Sequence, residues 1–266
     1  NQNQEYLRCW YRNKINLPGI GVLSPVKTCA ILHVHSEPET QANGLRFRAM
    51  YRYKFKGDRK MRELHYDVVI VGCGVGGLYT ALNLPEDKQI LMLSKAELET
   101  CDSMLAQGGI CVLLDEDDYD SYFEDTMRAG HYENRKESVD IMIRGSRDVI
   151  NDLIGYGVEF ERNADGSLAY TKEGAHSKPR ICFHEDITGE EITTRLLSAV
   201  KQLNNVTIFE HTTMTDIIED INHACVGIIA KCADGEELEI YAENTVFATG
   251  GIGGQYKHST NYPILT

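Results

Sequence analysis

The chain has 266 residues and carries 27 Lys and Arg against 40 Asp and Glu, a formal charge of −13. That acidic balance excludes a general nucleic-acid binder, which presents a basic face, and no apolar run approaches the roughly 18–20 residues of a membrane-spanning helix. The length allows one large core or two modest ones.

The charge is unevenly spread. Residues 1–60 hold 11 basic against 4 acidic side chains, whereas residues 61–266 hold 16 against 36, a swing unusual inside one domain. The opening NQNQEYLRCWYRNKINLPGIGVLSPVKT has neither helical nor strand periodicity. FRAMYRYKFKGDRKMREL interleaves basic and aromatic residues, which suits a nucleic-acid or membrane-surface tail. The plainer reading is a disordered or non-native basic extension ahead of a start at Met61, so the expected division is 1–60 and 61–266. His33 and His35 would share one side of a strand, but without further ligands they make no metal site. The cysteines at 9, 29, 73, 101, 111, 182, 225 and 232 form no C-x-x-C pair; they read as reduced thiols of a cytoplasmic protein, with no metal expected. No uninterrupted apolar core of a signal peptide is present near the N-terminus.

From Tyr66 the pattern becomes regular. YDVVIV (66–71) predicts a buried strand, Val75 to Leu84 a helix stopped by Pro85, and QILMLSK (89–95) a second buried strand. This is a βαβ unit with a right-handed crossover. Apolar residues three and four apart predict helices over 118–130, 136–155 and 189–205. Short runs at 206–210, 214–219, 225–231 and 237–241 predict a small antiparallel meander, inserted before a last parallel strand at NTVFATGG (244–251). The fold class is α/β, a Rossmann-like parallel sheet with helices.

Between the first strand and helix, Gly72-Cys73-Gly74-Val75-Gly76-Gly77 fits G-x-G-x-x-G at 72, 74 and 77. Gly72 permits the tight turn, Gly74 lets backbone N–H groups reach a pyrophosphate, and Gly77 lets the helix pack on the strand. The anion would sit at the positive helix end near Val75. In this context the motif predicts dinucleotide binding. The second strand ends Leu93-Ser94-Lys95, where a nicotinamide-binding protein normally has an acid for the ribose; Ser94 can still bond a hydroxyl.

Four further stretches follow in register: CDSMLAQGGI (101–110), TKEGAHS (171–177), HEDITGEEI (184–192) and FATGG (247–251). With the glycine turn they resemble the flavoprotein family of L-aspartate oxidase, succinate dehydrogenase and fumarate reductase, from about Leu64 onward. The resemblance implies non-covalent FAD. Ala106, Gln107, Gly108 and Gly109 would lie along the isoalloxazine, approached through Asp102, Ser103, Met104 and Leu105. Thr249 and Gly250 would meet the cofactor again, the backbone at Met214 would pass the adenine, and Lys95 would border the ribose–phosphate. Asp102 stands where membrane-complex members carry the histidine that bonds covalently to flavin. The chain reads as the N-terminal part of a longer enzyme, since the family's substrate-clamping His and Arg, its capping domain and its C-terminal helical domain come later.

Glu173 separates the members. Those acting only on dicarboxylates resemble G-G-Q-S here, with a neutral amide. A carboxylate suits a substrate ammonium, and a charge-assisted hydrogen bond contributes about 1.5–3 kcal/mol. The plain alternative for Glu173 is a solvated loop acid. His176 and Ser177 would shape this loop. Thr188 and Glu191 read as a capping box for the following helix, and the region around His184, Asp186 and Gly189 as support for the site. The resemblance then implies oxidation of L-aspartate to iminosuccinate, with oxygen or fumarate as acceptor, feeding quinolinate synthase and NAD biosynthesis. A fumarate reductase or succinate dehydrogenase flavoprotein subunit and a non-enzymatic flavin-binding module are the competing readings.

Overall fold

The computed structural model describes residues 61–265 and the backbone of residues 32–35. Strand β1 (Leu32–His35) lies antiparallel to Asn244–Phe247; the rest of the stretch read as a basic extension lies outside the described residues. Strand β2 (Arg62–Val71) ends in four consecutive buried residues. Helix α1 (Val75–Asn83) and strand β3 (Ile90–Leu93) complete the βαβ unit, with Val71 beside Leu93 in a parallel register. A short strand β4 (Ile110–Cys111) precedes helices α2 (Tyr119–Ala129) and α3 (Lys136–Gly155). Strand β5 (Ile181–Cys182) pairs antiparallel with β4, and helix α4 (Thr188–Val200) follows. The chain then adds β6 (Val206–Phe209), β7 (Thr213–Glu219), β8 (Cys225–Lys231) and β9 (Glu237–Phe247).

The large sheet runs β6-β3-β2-β9-β8-β7, with β1 also on β9. Its first four strands are parallel, and β8 and β7 are antiparallel additions. The chain leaves β2 toward β3 and β6, then returns to the opposite side through β9. Strand β2 therefore sits where the strand order reverses, and ligands of such sheets bind beyond the carboxyl ends of the strands at that point.

The continuous apolar run of β2 follows from burial on both faces. Val68 and Ile70 join Leu78, Leu196 and Ile150 in the core beneath the helices. Val69 and Val71 point the other way, against Ile228, Leu238 and Ile240 of the antiparallel additions. Successive side chains of a strand alternate between faces, so one VVIV run serves two cores.

Strand β9 corrects the expected layout. The runs at 237–241 and 244–251 are one strand, not a meander strand followed by a separate parallel one, and it ends at Phe247. It pairs with β8 through Glu237–Tyr241 and with β2 from Leu238 to Phe247. Ala242 and Glu243, between the two predicted runs, do not break the strand, because pairing to β2 continues through Tyr241 and Ala242 and on from Asn244, and Tyr241 stacks on His65 at 5.3 Å.

The insertion between β3 and β6 is fastened by a buried cation. Arg180, fully excluded from solvent, donates from Nε and Nη2 to the two oxygens of Asp118 at 3.0 and 2.8 Å, and from Nη1 to Asp125 at 2.7 Å. Its guanidinium also lies 5.0 Å from the Tyr122 ring centroid and donates to Ser121. Asp125 accepts further bonds from the Ser177 backbone N–H at 2.6 Å and hydroxyl at 2.7 Å. Helix α2 and the loop that leads into β5 are thereby locked together. Burial alone pushes the Asp118 carboxyl up, but bonds from Arg180, Ser121 and Lys178 reverse this and bring it to about 2. Asp125 is likewise opposed by burial, yet the bonds from Ser177 and Arg180 hold it well below the usual carboxylate range.

Two stability predictions follow from this architecture. A Cβ on Gly77 would stand 2.0 Å from the Gly72 carbonyl oxygen, whereas one on Gly145, within α3, would meet nothing within 4 Å. Gly77→Ala is expected to destabilise by about 1–3 kcal/mol or more, and Gly145→Ala to stabilise by roughly 0.5–1 kcal/mol, both read from urea unfolding midpoints. The depressed carboxyls contribute stability that is fully present above their unfolded value near 3.8 and is lost as pH falls toward about 2. Asp118→Asn should lower the midpoint at pH 5 and flatten its fall between about pH 4 and pH 2, measured by urea titration at each pH.

Candidate functional site

The carboxyl ends of β2, β3 and β9 meet at the glycine turn. Gly72 donates to the Leu93 carbonyl at 2.9 Å, and Ala248 donates to the Val71 carbonyl at 2.9 Å. Gly72 has φ of +112°, and a Cβ there would stand 2.2 Å from the Ala248 oxygen. No other residue type fits both conditions. Cys73 turns its side chain inward, donating to the Leu93 carbonyl at 3.5 Å, and burial first, then Cys101 and Glu210, pushes its thiol up to about 12. It is an inert packing group whose backbone alone faces the turn.

Helix α1 begins with no side-chain cap from Gly74 and no acid in its first turn. The missing acceptor comes from another loop: the Val75 N–H donates to Ser103 Oγ at 3.1 Å, and a Cβ on Gly74 would lie 3.0 Å from the same oxygen. A hydroxyl acceptor already engages the helix terminus, where an anion is favoured by the unpaired N–H groups and the helix dipole.

Ser103 belongs to a short 3-10 turn, Asp102–Leu105, that leads into the exposed Ala106–Gly109 loop. Two contacts hold this loop. The Gly189 N–H at the start of α4 donates to the Ala106 carbonyl at 2.8 Å, and a Cβ on Gly189 would stand 2.2 Å from the Ser103 carbonyl oxygen. At the other end Gly109 has φ of +99°, with the Cys182 oxygen 2.4 Å from any Cβ. Asp102 faces the residues beyond β9, accepting from the Tyr262 N–H at 2.9 Å and from the Asn261 amide.

The expected capping box is not formed. Thr188 is inside α4 and its hydroxyl accepts from the His184 N–H at 2.9 Å. Glu191 instead accepts from the Glu159 N–H and from Arg195. The loop carbonyl of Ala106 takes the donor at the helix start, so the helix terminus is used to hold the Ala106–Gly109 loop.

Glu173 lies against that loop. A Cβ on Gly108 would be 3.6 Å from the Glu173 carboxyl carbon, an ordinary contact. The glutamate is placed by two anchors: a Thr171–Ile181 backbone bridge, bonded in both directions at 3.0 and 3.2 Å, and the Ser177–Asp125 and Arg180 bonds. His176 sits beneath, its N–H on the Glu173 carbonyl at 3.0 Å. Glu173 itself is exposed.

Ser94, Lys95 and Met214 form a second group. Ser94 is buried, and its backbone bonds to Phe209 and Thr212. Met214 packs into the core with Val69 and Leu93, while its neighbours Thr213 and Thr215 line an open cleft with Lys95, His211 and Lys231. Thr249 and Gly250 are exposed just beyond β9, with Gly250 at φ of +72°. Sequence reasoning did not single out Arg180, Asp118 or Asp125. Their one readable trace is the spacing of Asp118, Tyr122 and Asp125, which places acids and an aromatic on one helical face.

Comparison with known proteins accords with this arrangement. The FAD binding domain family matches residues 67–266. An L-aspartate oxidase of Clostridium perfringens is 48% identical over 200 residues, covering 75% of this chain and 45% of that protein. That of Clostridium acetobutylicum is 42% identical over the same length, covering 75% and 46%. A chloroplastic L-aspartate oxidase of Oryza sativa is 30% identical over 93% of this chain and 41% of its own. Among solved structures, an E. coli quinol fumarate reductase superposes with a TM-score of 0.72 at 26% identity, covering 77% of this chain and 36% of that one. The chain spans less than half the length of these relatives. Because the matched segment contains the glycine turn, the Ala106–Gly109 loop and the end of β9, the chain belongs to the FAD binding domain family.

Proposed function

We propose that the complete polypeptide oxidises L-aspartate to iminosuccinate with FAD as its cofactor, and that this chain supplies the cofactor seat and the amino-group selector. The observation that carries the substrate is the Glu173 carboxylate against Gly108, on the loop that would lie beside the flavin. The residues suit FAD: a glycine turn in which a Cβ on Gly72 or Gly77 would strike backbone, and a helix terminus facing the Ser103 hydroxyl. Gly72 to Gly77 and Ser103 would hold the diphosphate, Ser94, Lys95 and the Met214 backbone the adenosine, and Met104 to Gly109 with Thr249 and Gly250 the flavin. When bound, FAD supplies two-electron oxidation chemistry.

The protein's own residues orient and select. Glu173 draws a substrate ammonium toward the loop and disfavours a dicarboxylate lacking one, a difference carried by a charge-assisted hydrogen bond. The Asp102 carboxylate, engaged with Asn261 and Tyr262, holds the segment after β9 beside the flavin loop and offers no nucleophile like the histidine of covalent flavoproteins. Oxygen or fumarate would serve as acceptor, and quinolinate synthase would consume the product. Among the described residues no helix is long and apolar enough to cross a membrane; a cytoplasmic placement is part of the proposal.

Glu173→Gln in the complete enzyme should lower kcat/KM for aspartate roughly tenfold to a hundredfold, as expected for loss of a charged bond, and leave fumarate reduction unimpaired or raised, since a like charge is removed. Steady-state kinetics on both substrates check this; equal losses would turn the reading toward a fumarate reductase.

A further inference from the structure

Asp102 joins two parts of the chain that are far apart in sequence and meet at one end of the sheet. The Asp102–Leu105 turn comes after β3, and residues 248–265 come after β9. Strands β3 and β9 flank β2 on its two sides. A contact between the segments that follow them therefore spans the carboxyl end of β2, where the glycine turn begins. Asp102 makes that contact. One carboxylate oxygen accepts from the Tyr262 N–H at 2.9 Å and the other from the Asn261 amide. The next residue, Ser103, accepts from the Val75 N–H at 3.1 Å, so a single turn is tied both to the start of α1 and to the segment beyond β9.

The polarity of this clasp is fixed from both sides. A carboxylate only accepts, so the Asn261 NH2 group must face Asp102. Asn261 Oδ1 accepts from the Ser259 hydroxyl at 3.0 Å, and Ser259 Oγ in turn accepts from the Asn261 N–H at 3.1 Å. The same amide fills the space of a side chain at position 253, since a Cβ on Gly253 would stand 2.1 Å from its oxygen. The Gly254 N–H donates to the Leu265 carbonyl at 2.8 Å, and the Leu265 side chain lies 3.3 Å from a Cβ on Gly250. Residues 250–265 thus fold back on themselves, and Asp102 fastens the returning limb.

The stretches that Asp102 joins are those assigned above to the flavin, Met104 to Gly109 on one side and Thr249 with Gly250 on the other. We propose that Asp102 is a positioning residue that retains FAD where other members use a covalent bond: it joins the segments on either side of the glycine turn and so sets the rate at which the cofactor leaves. Both of its bonds are charge-assisted. This role presupposes the flavin seat proposed above, whereas the bonds themselves do not.

FAD release from the complete enzyme after dilution, followed by the rise in flavin fluorescence, reads the clasp without a substrate. Asp102→Ala should release FAD roughly tenfold to a hundredfold faster, as expected for losing charge-assisted bonds. Asn261→Asp, which sets two carboxylates face to face, should also speed release. Asp102→Asn combined with Asn261→Asp rebuilds the donor–acceptor pair in reverse and leaves an oxygen for the Tyr262 N–H; it should restore slow release. Release that stays slow in Asp102→Ala, or that does not recover in the double variant, would overturn the proposal. A measurement on the unaltered enzyme covers variants that do not fold. Coupling between two equilibria is reciprocal, so FAD should slow hydrogen exchange at the Tyr262 amide by a factor similar to that by which the clasp retains FAD. Exchange there that ignores FAD would overturn the proposal on its own. Neither readout involves aspartate, so protection of Tyr262 by FAD together with equal losses on both substrates in Glu173→Gln would sink the substrate reading alone.

Discussion

The Arg180 guanidinium, buried between Asp118 and Asp125, is the contact on which the candidate substrate side depends. Burying a cation is costly unless it is paired and fully hydrogen-bonded, and here its donors reach Asp118, Asp125, Ser121 and His176. Removing the arginine would leave two buried carboxylates with only the partly exposed cations Arg128 and Lys178 beside them, and breaking a buried pair typically costs about 3–5 kcal/mol. The arrangement exchanges generic apolar packing for a fixed geometry. It determines where the Glu173 loop runs, and therefore what stands beside Gly108.

The cofactor side is built differently. There the chain removes atoms: at Gly72, Gly77, Gly109 and Gly189 a single Cβ would strike a backbone oxygen at 2.0–2.4 Å. Close backbone approach brings the ends of three strands, two helix termini and the Ala106–Gly109 loop into one region. Strand order supplies the location and glycine the room. The two construction modes meet at Gly108, where the glycine-built loop faces the glutamate placed by the ion pairs.

The same economy of contacts explains β9. It pairs parallel with β2 from Leu238 to Phe247, and its first half, Glu237–Tyr241, also carries the antiparallel strand β8 on its other edge. One strand thus joins the two hydrophobic cores and delivers Thr249 and Gly250 to the end of the sheet where the glycine turn lies. The break between the runs at Ala242 and Glu243 looks like a loop when only side-chain pattern is considered, because periodicity reports burial and not backbone pairing.

Local chemistry was legible directly. Glycine spacing, the continuous apolar runs of β2 and β3, and the helical stripes of α2 and α3 are short-range signals, each written within a dozen or so residues, and they specified the βαβ unit and its glycine turn. Glu173 was legible as a carboxylate where members acting only on dicarboxylates have a neutral amide. Three features depended on the folded chain: Ser103 supplying the acceptor for α1 from 28 residues away, the Ala106 carbonyl taking the place of a Thr188 cap, and Arg180 joining Asp118 at a separation of 62 residues. Such partners are chosen by which loops the topology brings together, and no local pattern encodes that choice. The sequence determined the kind of site; tertiary packing decided which groups hold it in place, because a buried charge or an open helix end takes its partner from whatever lies next to it in space.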